Sequence, residues 1–174
     1  YFGMQQMMQT SNPGLASLLE SCNLYGRPLS ATNISYTLAP RLNAVGRLGD
    51  ASVAVELFLT DENDKAANIA SMLAEENRRR QEIEAVISEQ AVGMLEEQDI
   101  STMNVIVLAS EGWHQGVVGI VASRMVESYN RPAILISIAN GEGRGSGRSI
   151  GGFDLHAALT ECSDCLIRFG GHAQ

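Results

Sequence analysis

Glycine, arginine, asparagine and histidine residues gather in three short, widely separated blocks. The blocks read PRLNAVGR at 40–47, GRGSGRS at 143–149 and FGGH at 169–172. Glycine lets a backbone approach a ligand closely, and arginine presents a planar fork of donors that matches two phosphate oxygens at once. Of the 12 Lys and Arg residues, only Lys65 is a lysine. This bias favours geometric recognition of phosphate groups over a diffuse positive surface.

The glycine-rich block 143–149 has the composition of a phosphate-contact site. It lacks the GxxxxGK[ST] and GxGxxG patterns, which argues against the nucleotide-binding folds that carry them. A flexible turn is one interpretation. If the block is extended instead, the side chains of Ser146 and Arg148 leave on the same face, because strand side chains repeat every two residues. A hydroxyl and a guanidinium side by side would then form a compact phosphate clamp.

Two histidines lie in places where ligands are commonly bound. Trp113 and His114 lie at the junction between a predicted strand and the helix after it, where α/β folds place ligands. The alternative is that Trp113 belongs to the core and His114 caps a turn. His172 follows Gly170 and Gly171, which allow a close backbone approach, and we expect it to be functional.

The block 40–47 supplies three polar donors within an otherwise apolar stretch, Arg41, Asn43 and Arg47. We expect these residues to precede a helix and to contact a ligand. The alternative is that Gly46 only turns the chain and that one arginine pairs with a nearby acid.

Hydrophobic periodicity predicts a helical first part of the chain. One long helix is expected to continue to Glu97, and its middle is polar on every face, as in a helix that bridges two bodies through solvent. The predicted elements before residue 99 are a helix at 15–19, extended or irregular chain at 29–38, a helix at 51–59 capped by Asp50, and the long helix after Thr60 or Asp61.

After Asp99 the pattern changes to alternating strands and helices. The chain is therefore predicted to be α/β, with a long connecting helix followed by a small mixed-sheet α/β domain. The predicted elements are strands at 105–109, 133–139, 148–150 and 166–169, and helices at 116–129 and 154–162, the last capped by Asp154.

Composition excludes several classes of protein. The chain has 174 residues, 45% of them hydrophobic, and a net charge of −8, which argues against coating nucleic acid through bulk charge but leaves room for a local groove. No apolar run is long enough for a membrane span and no secretory leader is present, so a cytoplasmic protein without membrane contact is expected. Three cysteines, Cys22, Cys162 and Cys165, are expected to be reduced, with no metal site among them.

Five ordered motifs together resemble the RecJ family of single-stranded-DNA-specific exonucleases, within the DHH phosphoesterase superfamily. The resemblance covers nearly the whole chain. The motifs are APRLNAVGRL at 39–48, NRRRQEIE at 77–84, GWHQGVVGIVA at 112–122, GSGRS at 145–149 and FGGH at 169–172.

The resemblance implies a domain organisation. In that family an N-terminal DHH domain holds divalent metals with aspartates and histidines, a long helix connects it to a DHH-associated domain, and substrate lies in the groove between them. Residues 1–49 would be the end of the DHH domain, 50–98 the connector, and 99–174 a C-terminally truncated DHH-associated, substrate-binding domain. Mn²⁺ or Mg²⁺ is implied for the intact protein, and none is expected in this fragment.

The resemblance also implies roles for single residues. Ser146 and Arg148 would hold the 5′-phosphate of the DNA, and His172 would face the scissile phosphate opposite the metals. The other residues with an implied substrate-binding role are Arg41, Asn43, Arg47, His114, Gly170 and Gly171.

The sequence departs from the family pattern in one respect that decides its chemistry. It contains no Asp-His-His and no Asp-x-Asp, and only three histidines. We therefore expect the chain to anchor substrate for a 5′-to-3′ single-stranded-DNA exonuclease of recombination and repair, but to be inactive alone, because it lacks the metals that activate water.

Two other functions stay open, a phosphodiesterase of short oligonucleotides or dinucleotides and a non-catalytic nucleic-acid-binding scaffold. By resemblance, the partners of the intact protein are single-stranded DNA with a 5′-phosphate end, a single-strand-binding protein and a helicase.

Overall fold

The computed structural model describes residues 2–172, and the chain divides into two compact units, Tyr1–Glu82 and Ile83–Gln174. The division falls inside the longest helix, Asn63–Glu96. The predicted α/β class, a long helix followed by a small mixed sheet, is confirmed. The predicted domain boundaries after residues 49 and 98 stay predictions.

The first unit is helical. Its second helix begins at a proline and is capped by Asn12, whose Oδ1 accepts the N–H of Leu15 at 2.9 Å while its side-chain amide donates to the Phe58 carbonyl at 3.0 Å. One residue thereby caps one helix and ties it to another. The helices are α1 (Phe2–Met7), α2 (Pro13–Ser21), α3 (Ala31–Asn33), α4 (Ala39–Leu48), α5 (Ser52–Leu59) and α6 (Asn63–Glu96), which begins in this unit.

Helices α2 and α5 pack closely in the core of the first unit. At Gly14 a Cβ atom would lie 2.6 Å from the carbonyl carbon of Leu57 and would overlap its oxygen. Only glycine fits at this contact. The buried residues around it are Leu18, Leu19, Leu38, Val45, Leu57, Ala66, Ile69, Ala70 and Leu73.

The prediction of extended chain at 29–38 is wrong, because helix begins at Ala31. A reciprocal cap starts it: Ser30 Oγ accepts the Asn33 N–H at 3.1 Å, and Asn33 Oδ1 accepts the Ser30 N–H at 2.9 Å. A π-helical turn, Ile34–Leu38, then leads into α4. Pro40 has no N–H for a regular helical bond, and the wider turn precedes the position where that bond is missing.

Arg41, Asn43 and Arg47 therefore lie within α4, a helix that the sequence did not predict, although they do precede the predicted helix, α5. The continuous helical path through the π-helical turn carries the block 40–47 into the interior of a helix. Its side chains are therefore distributed around a helical surface.

The predicted cap at Asp50 is one residue off, because α5 starts at Ser52 and its N-cap is Ala51, which makes no side-chain cap bond. Asp50 still accepts a hydrogen bond from the first turn. The backbone N–H of Ser52 donates to Asp50 Oδ1 at 2.8 Å, and this bond, with a second from the Ser52 hydroxyl, lowers the pKa of Asp50.

An ion pair of 2.7 Å between Lys65 and Glu56 connects α6 to α5, and the hydrogen bond and charge of Glu56 raise the pKa of Lys65.

Helix α6 confirms the predicted long helix, but its polar middle is not exposed to solvent on every face. Asn77 is 7% exposed and Glu84 only 2%. Asn77 Oδ1 accepts a hydrogen bond of 2.8 Å from Arg80, and Glu84 forms an ion pair with Arg124. These two polar side chains are buried because each has a charged partner.

The second unit carries a three-stranded mixed sheet in the order β1-β2-β3. Strands β1 and β2 run parallel, joined by a helix, and β3 pairs antiparallel with β2. The elements are the end of α6, a 3₁₀ turn (Ile100–Thr102), β1 (Ile106–Glu111), α7 (Val118–Tyr129), β2 (Ala133–Ala139), β3 (Glu142–Arg148), α8 (Leu155–Glu161) and a second 3₁₀ turn (Ser163–Cys165).

The third strand is displaced from its predicted position at 148–150. Asn140 and Gly141, with φ of 53° and 78°, form a two-residue loop between β2 and β3, and Ala139 pairs with Glu142. Positive φ at both loop residues is typical of tight hairpins with this sequence. The glycine-rich block is therefore mostly strand, and the flexible-turn interpretation is wrong.

The prediction of a fourth strand at 166–169 is also wrong. This segment is exposed and pairs with no strand among residues 2–172, and the Leu166 N–H donates to the Ser163 carbonyl at 3.0 Å. The predicted cap of the preceding helix is confirmed, since Asp154 Oδ1 accepts the Ala157 N–H at 2.9 Å.

We predict that Gly14→Ala destabilises the chain by about 2–3 kcal/mol, because the added methyl group overlaps backbone atoms, which no rotamer change relieves. Urea unfolding followed by circular dichroism measures this. Gly3→Ala is the matched control, because a Cβ at Gly3 meets nothing within 4 Å. Equal midpoints for the two variants would contradict the close packing of α2 and α5.

Candidate functional site

Strand β3 has two chemically different faces. Glycines occupy every second position, and Gly143, Gly145 and Gly147 pair in register with three isoleucines of β2. A Cβ at Gly143 would lie 3.0 Å from Ile136 and one at Gly145 3.4 Å from Ile134. The isoleucine side chains occupy the space beside the glycines on one face of the sheet. The polar side chains of β3 therefore project from the other face. They are Glu142, Arg144, Ser146 and Arg148.

Ser146 and Arg148 form the predicted pair on this face. Arg148 Nη1 donates to Ser146 Oγ at 3.3 Å and to the Gly147 carbonyl at 2.7 Å. Arg148 Nε donates to Ser123 Oγ at 3.2 Å, which connects the guanidinium to α7. Three contacts hold the guanidinium beside the hydroxyl, although Arg148 is exposed.

The first turns of α7 lie directly against this pair. A Cβ at Gly119 would be 2.7 Å from Ser146 Oγ and 3.1 Å from Arg148 Nη2. Ser123 Oγ donates to the Gly119 carbonyl at 3.2 Å and accepts from Arg148. The start of a helix carries partial positive charge. The guanidinium, the hydroxyl and the helix start together form a site suited to an anion.

Trp113 and His114 lie between β1 and α7, as predicted. Trp113 is buried, its indole N–H donates to Gln90 Oε1 at 2.7 Å, and its carbonyl accepts from Ser137 Oγ at 2.5 Å. The Gly116 N–H donates to His114 Nδ1 at 3.1 Å, so in the neutral ring Nε2 carries the proton. Trp113 is thus a core residue, while half-buried His114 offers a donor.

A concavity of about 570 Å³ adjoins this loop and the β2–β3 hairpin. Arg144 reaches it from β3 and has a contact of 3.4 Å between Nη1 and Gln115 Oε1. The side chains around it are mainly polar: His114, Gln115, Ser137, Asn140, Glu142 and Arg144.

The predicted residues of the block 40–47 belong to the first unit. Asn43 and Arg47 are exposed and one helical turn apart on α4. Arg41 is half-buried, and its Nη1 donates to the Thr37 carbonyl in the π-helical turn at 2.7 Å. Arg41 therefore has a structural role at the entry to α4.

The predicted residues Gly170, Gly171 and His172 lie in exposed chain after α8. The ring of the preceding residue, Phe169, lies 5.6 Å from the ring of His156 on α8. This ring contact brings the segment back toward α8.

Sequence reasoning missed the residues that hold the anion site together. Gly119 and Ser123 are four residues apart on one face of α7, a small-residue spacing that could have indicated close packing. Glu84 lies on the same face of α6 as buried Ile87 and Ala91 and pairs with Arg124 of α7. A single acid within an apolar stripe was the available signal.

The described part of the chain offers no ligand set for a metal ion. Among residues 2–172, no three His, Cys, Asp or Glu side chains are grouped so that they could hold one. These residues do not fit a resident divalent metal. The helices between Phe2 and Glu161 also include none of the length and apolarity needed to cross a membrane.

The second unit contains a segment that matches a known protein family. Residues 102–174 match the family model of the DHHA1 domain. The single-stranded-DNA-specific exonuclease RecJ of Bacillus subtilis (strain 168) is 39% identical over 98% of this chain, and that of Escherichia coli (strain K12) is 40% identical over 92%. The expected resemblance to the RecJ family is confirmed.

Solved structures extend the match to the fold. The crystal structure of RecJ in complex with Mn²⁺ from Thermus thermophilus has a TM-score of 0.86 at 34% identity, and the match covers 99% of this chain. The chain covers 25% of that structure, 22% of the Bacillus protein and 29% of the Escherichia protein. It therefore spans less than a third of these relatives.

We predict that Gln90→Ala destabilises the chain by about 1–3 kcal/mol, because it leaves the buried indole N–H of Trp113 without its acceptor. Trp113 is the only tryptophan, so its fluorescence reports both the local change and unfolding. Gln98→Ala is the matched control, since exposed Gln98 only donates to the Met94 carbonyl. An unchanged emission spectrum and midpoint in Gln90→Ala would contradict this role.

Proposed function

We propose that this chain is the substrate-anchoring part of a single-stranded-DNA exonuclease, and that Ser146 and Arg148 hold the terminal 5′-phosphate. The observation that carries the proposal is the convergence of the Arg148 guanidinium, the Ser146 hydroxyl and the start of α7 at Gly119. The relatives' description as single-stranded-DNA-specific exonucleases supports the substrate class.

The arrangement suits a terminal phosphate better than an internal one. A terminal monoester carries more charge and one more unesterified oxygen than a diester, so it gains more from a fork of donors. Because Ser123 and Gly147 hold the guanidinium in place, little side-chain freedom is lost when an anion binds.

We assign the remaining predicted residues to the DNA that follows the anchor. His114 would donate from Nε2 to the substrate, and Asn43, Arg47 and Arg41 would also contact the DNA. His172, with Gly170 and Gly171, would face the scissile phosphate. These assignments rest on the family resemblance and on the donor chemistry of the side chains.

Catalysis itself belongs, in this proposal, to the intact protein. Structures of related RecJ proteins are described as containing Mg²⁺ or Mn²⁺, which supports a metal-dependent hydrolysis. A divalent metal in such a reaction activates water and neutralises the developing phosphoryl charge. Anchoring of the 5′ end gives the reaction its 5′-to-3′ direction. Recombination and repair, with a single-strand-binding protein and a helicase as partners, are the proposed setting.

We predict that Arg148→Ala weakens binding of a 5′-phosphorylated oligothymidylate by about 1.5–3 kcal/mol, the worth of a charge-assisted hydrogen bond. Fluorescence anisotropy with 5′-phosphate and 5′-hydroxyl probes measures it, and the preference for the phosphate should disappear in the variant. Arg78→Ala removes the same charge from an exposed pair with Glu75 and is the control. Equal affinity of Arg148→Ala and wild type would refute the anchor.

We also predict that Mn²⁺ does not turn this chain into a nuclease, because the side chains of residues 2–172 supply no metal-ligand set. Gel analysis of 5′-labelled single strands, incubated with the chain and millimolar Mn²⁺, tests this. Sustained degradation that copurifies with the chain and is lost in Arg148→Ala would contradict the expectation.

A further inference from the structure

We propose that Arg144 and the adjoining concavity form a second phosphate subsite, which takes the internucleotide phosphate directly following the anchored 5′-phosphate. This inference rests on the proposed function of Ser146 and Arg148. It adds a residue that neither the sequence motifs nor the anchor assigns, and it identifies the substrate as a strand of at least two nucleotides.

The first argument is position along β3. Arg144, Ser146 and Arg148 leave on one face, since the intervening glycines pack on the isoleucines of β2. The Arg148 guanidinium folds back to Ser146, which centres the anchor on Ser146. Arg144 is two residues further, about 7 Å along the strand. Adjacent phosphates of a nucleic-acid strand are separated by a distance of the same order.

The second argument is the chemistry of the concavity beside Arg144. Donors line it: the guanidinium, the amides of Gln115 and Asn140, and His114, whose neutral ring carries its proton on Nε2. A volume of about 570 Å³ is of the size that small-molecule sites have and accommodates a nucleotide unit.

The third argument is that Arg144 is available to a ligand. It is exposed, and its contact with Gln115 Oε1, at 3.4 Å, is at the long end of hydrogen-bond distances. A phosphate oxygen is a stronger partner than a neutral amide oxygen, so it replaces Gln115 readily. Glu142, the next residue on this face, lines the same concavity, so its negative charge opposes the entry of more than one phosphate.

The test uses the 174-residue chain and 5′-phosphorylated oligothymidylates with a 3′ fluorophore. In one probe a neutral methylphosphonate replaces the first internucleotide phosphate, and in another it replaces the third. For wild type, neutralising the first linkage should lower affinity about tenfold. In Arg144→Ala, affinity for the unmodified probe should fall by a similar factor, and neutralising the first linkage should have no further effect.

Arg144→Lys and Arg78→Ala provide controls. Arg144→Lys keeps the charge and should restore part of the sensitivity to the first linkage, and Arg78→Ala should behave like wild type. The subsite is overturned if Arg144→Ala leaves affinity unchanged, or if the first linkage matters equally in Arg144→Ala and wild type. It is also overturned if Arg144 is coupled only to the third linkage.

Failure of the anchor gives a different pattern. If 5′-phosphate and 5′-hydroxyl probes bind equally and Arg148→Ala has no effect, the proposed function fails, whatever Arg144 does. If the preference for the 5′-phosphate holds but Arg144→Ala weakens all probes equally, only the subsite fails. If no probe binds, both are overturned.

Discussion

The packing of glycines in β3 against isoleucines in β2 is the constraint on which the candidate site depends. Ile134 and Ile136, with Leu155 beside Gly147, fill the space that side chains at the odd positions of β3 would need. Every functional side chain of the strand is thereby confined to the even positions. The polar face exists because the opposite face is occupied, and its chemistry is a consequence of sheet packing.

Helix α7 completes the site because it is held on two sides. Its small residues, Gly119 and Ser123, let it approach Ser146 and Arg148. On another side, Arg124 pairs with Glu84, which is buried in α6. Arg124 is exposed, but the Glu84 carboxylate is buried, so losing this pair removes a charged partner from a buried acid and disfavours other positions of α7 against the end of α6. Residues that contact no ligand thus fix the geometry of those that would.

The sequence predicts elements well where one local signal dominates. Helix α6 is long and free of proline, and α8 has Asp154 at its cap, so both follow from the sequence. The prediction for 31–38 is wrong because its capping pair, Ser30 and Asn33, and its π-helical turn leave no regular apolar period.

The hairpin at Asn140 and Gly141 does carry a recognisable turn signal, but the glycines after it are equally typical of a loop. The pairing of Ser146 with Arg148 follows from strand alternation alone. The contributions of Gly119, Ser123 and Gln90 depend on tertiary contacts. The small-residue spacing of Gly119 and Ser123 indicates close packing, but it does not identify the side chains that they contact.

The length of the Asn140–Gly141 loop has a consequence for how this protein can vary. A two-residue loop sets the register in which Ala139 pairs with Glu142, and side chains alternate with a period of two along β3. Insertion or deletion of one residue that slipped the pairing would turn the arginines onto the isoleucines and the glycines toward α7. Changes of two residues would preserve the assignment of faces. Length variation at this hairpin is therefore subject to a parity rule, which does not apply to loops that set no strand register.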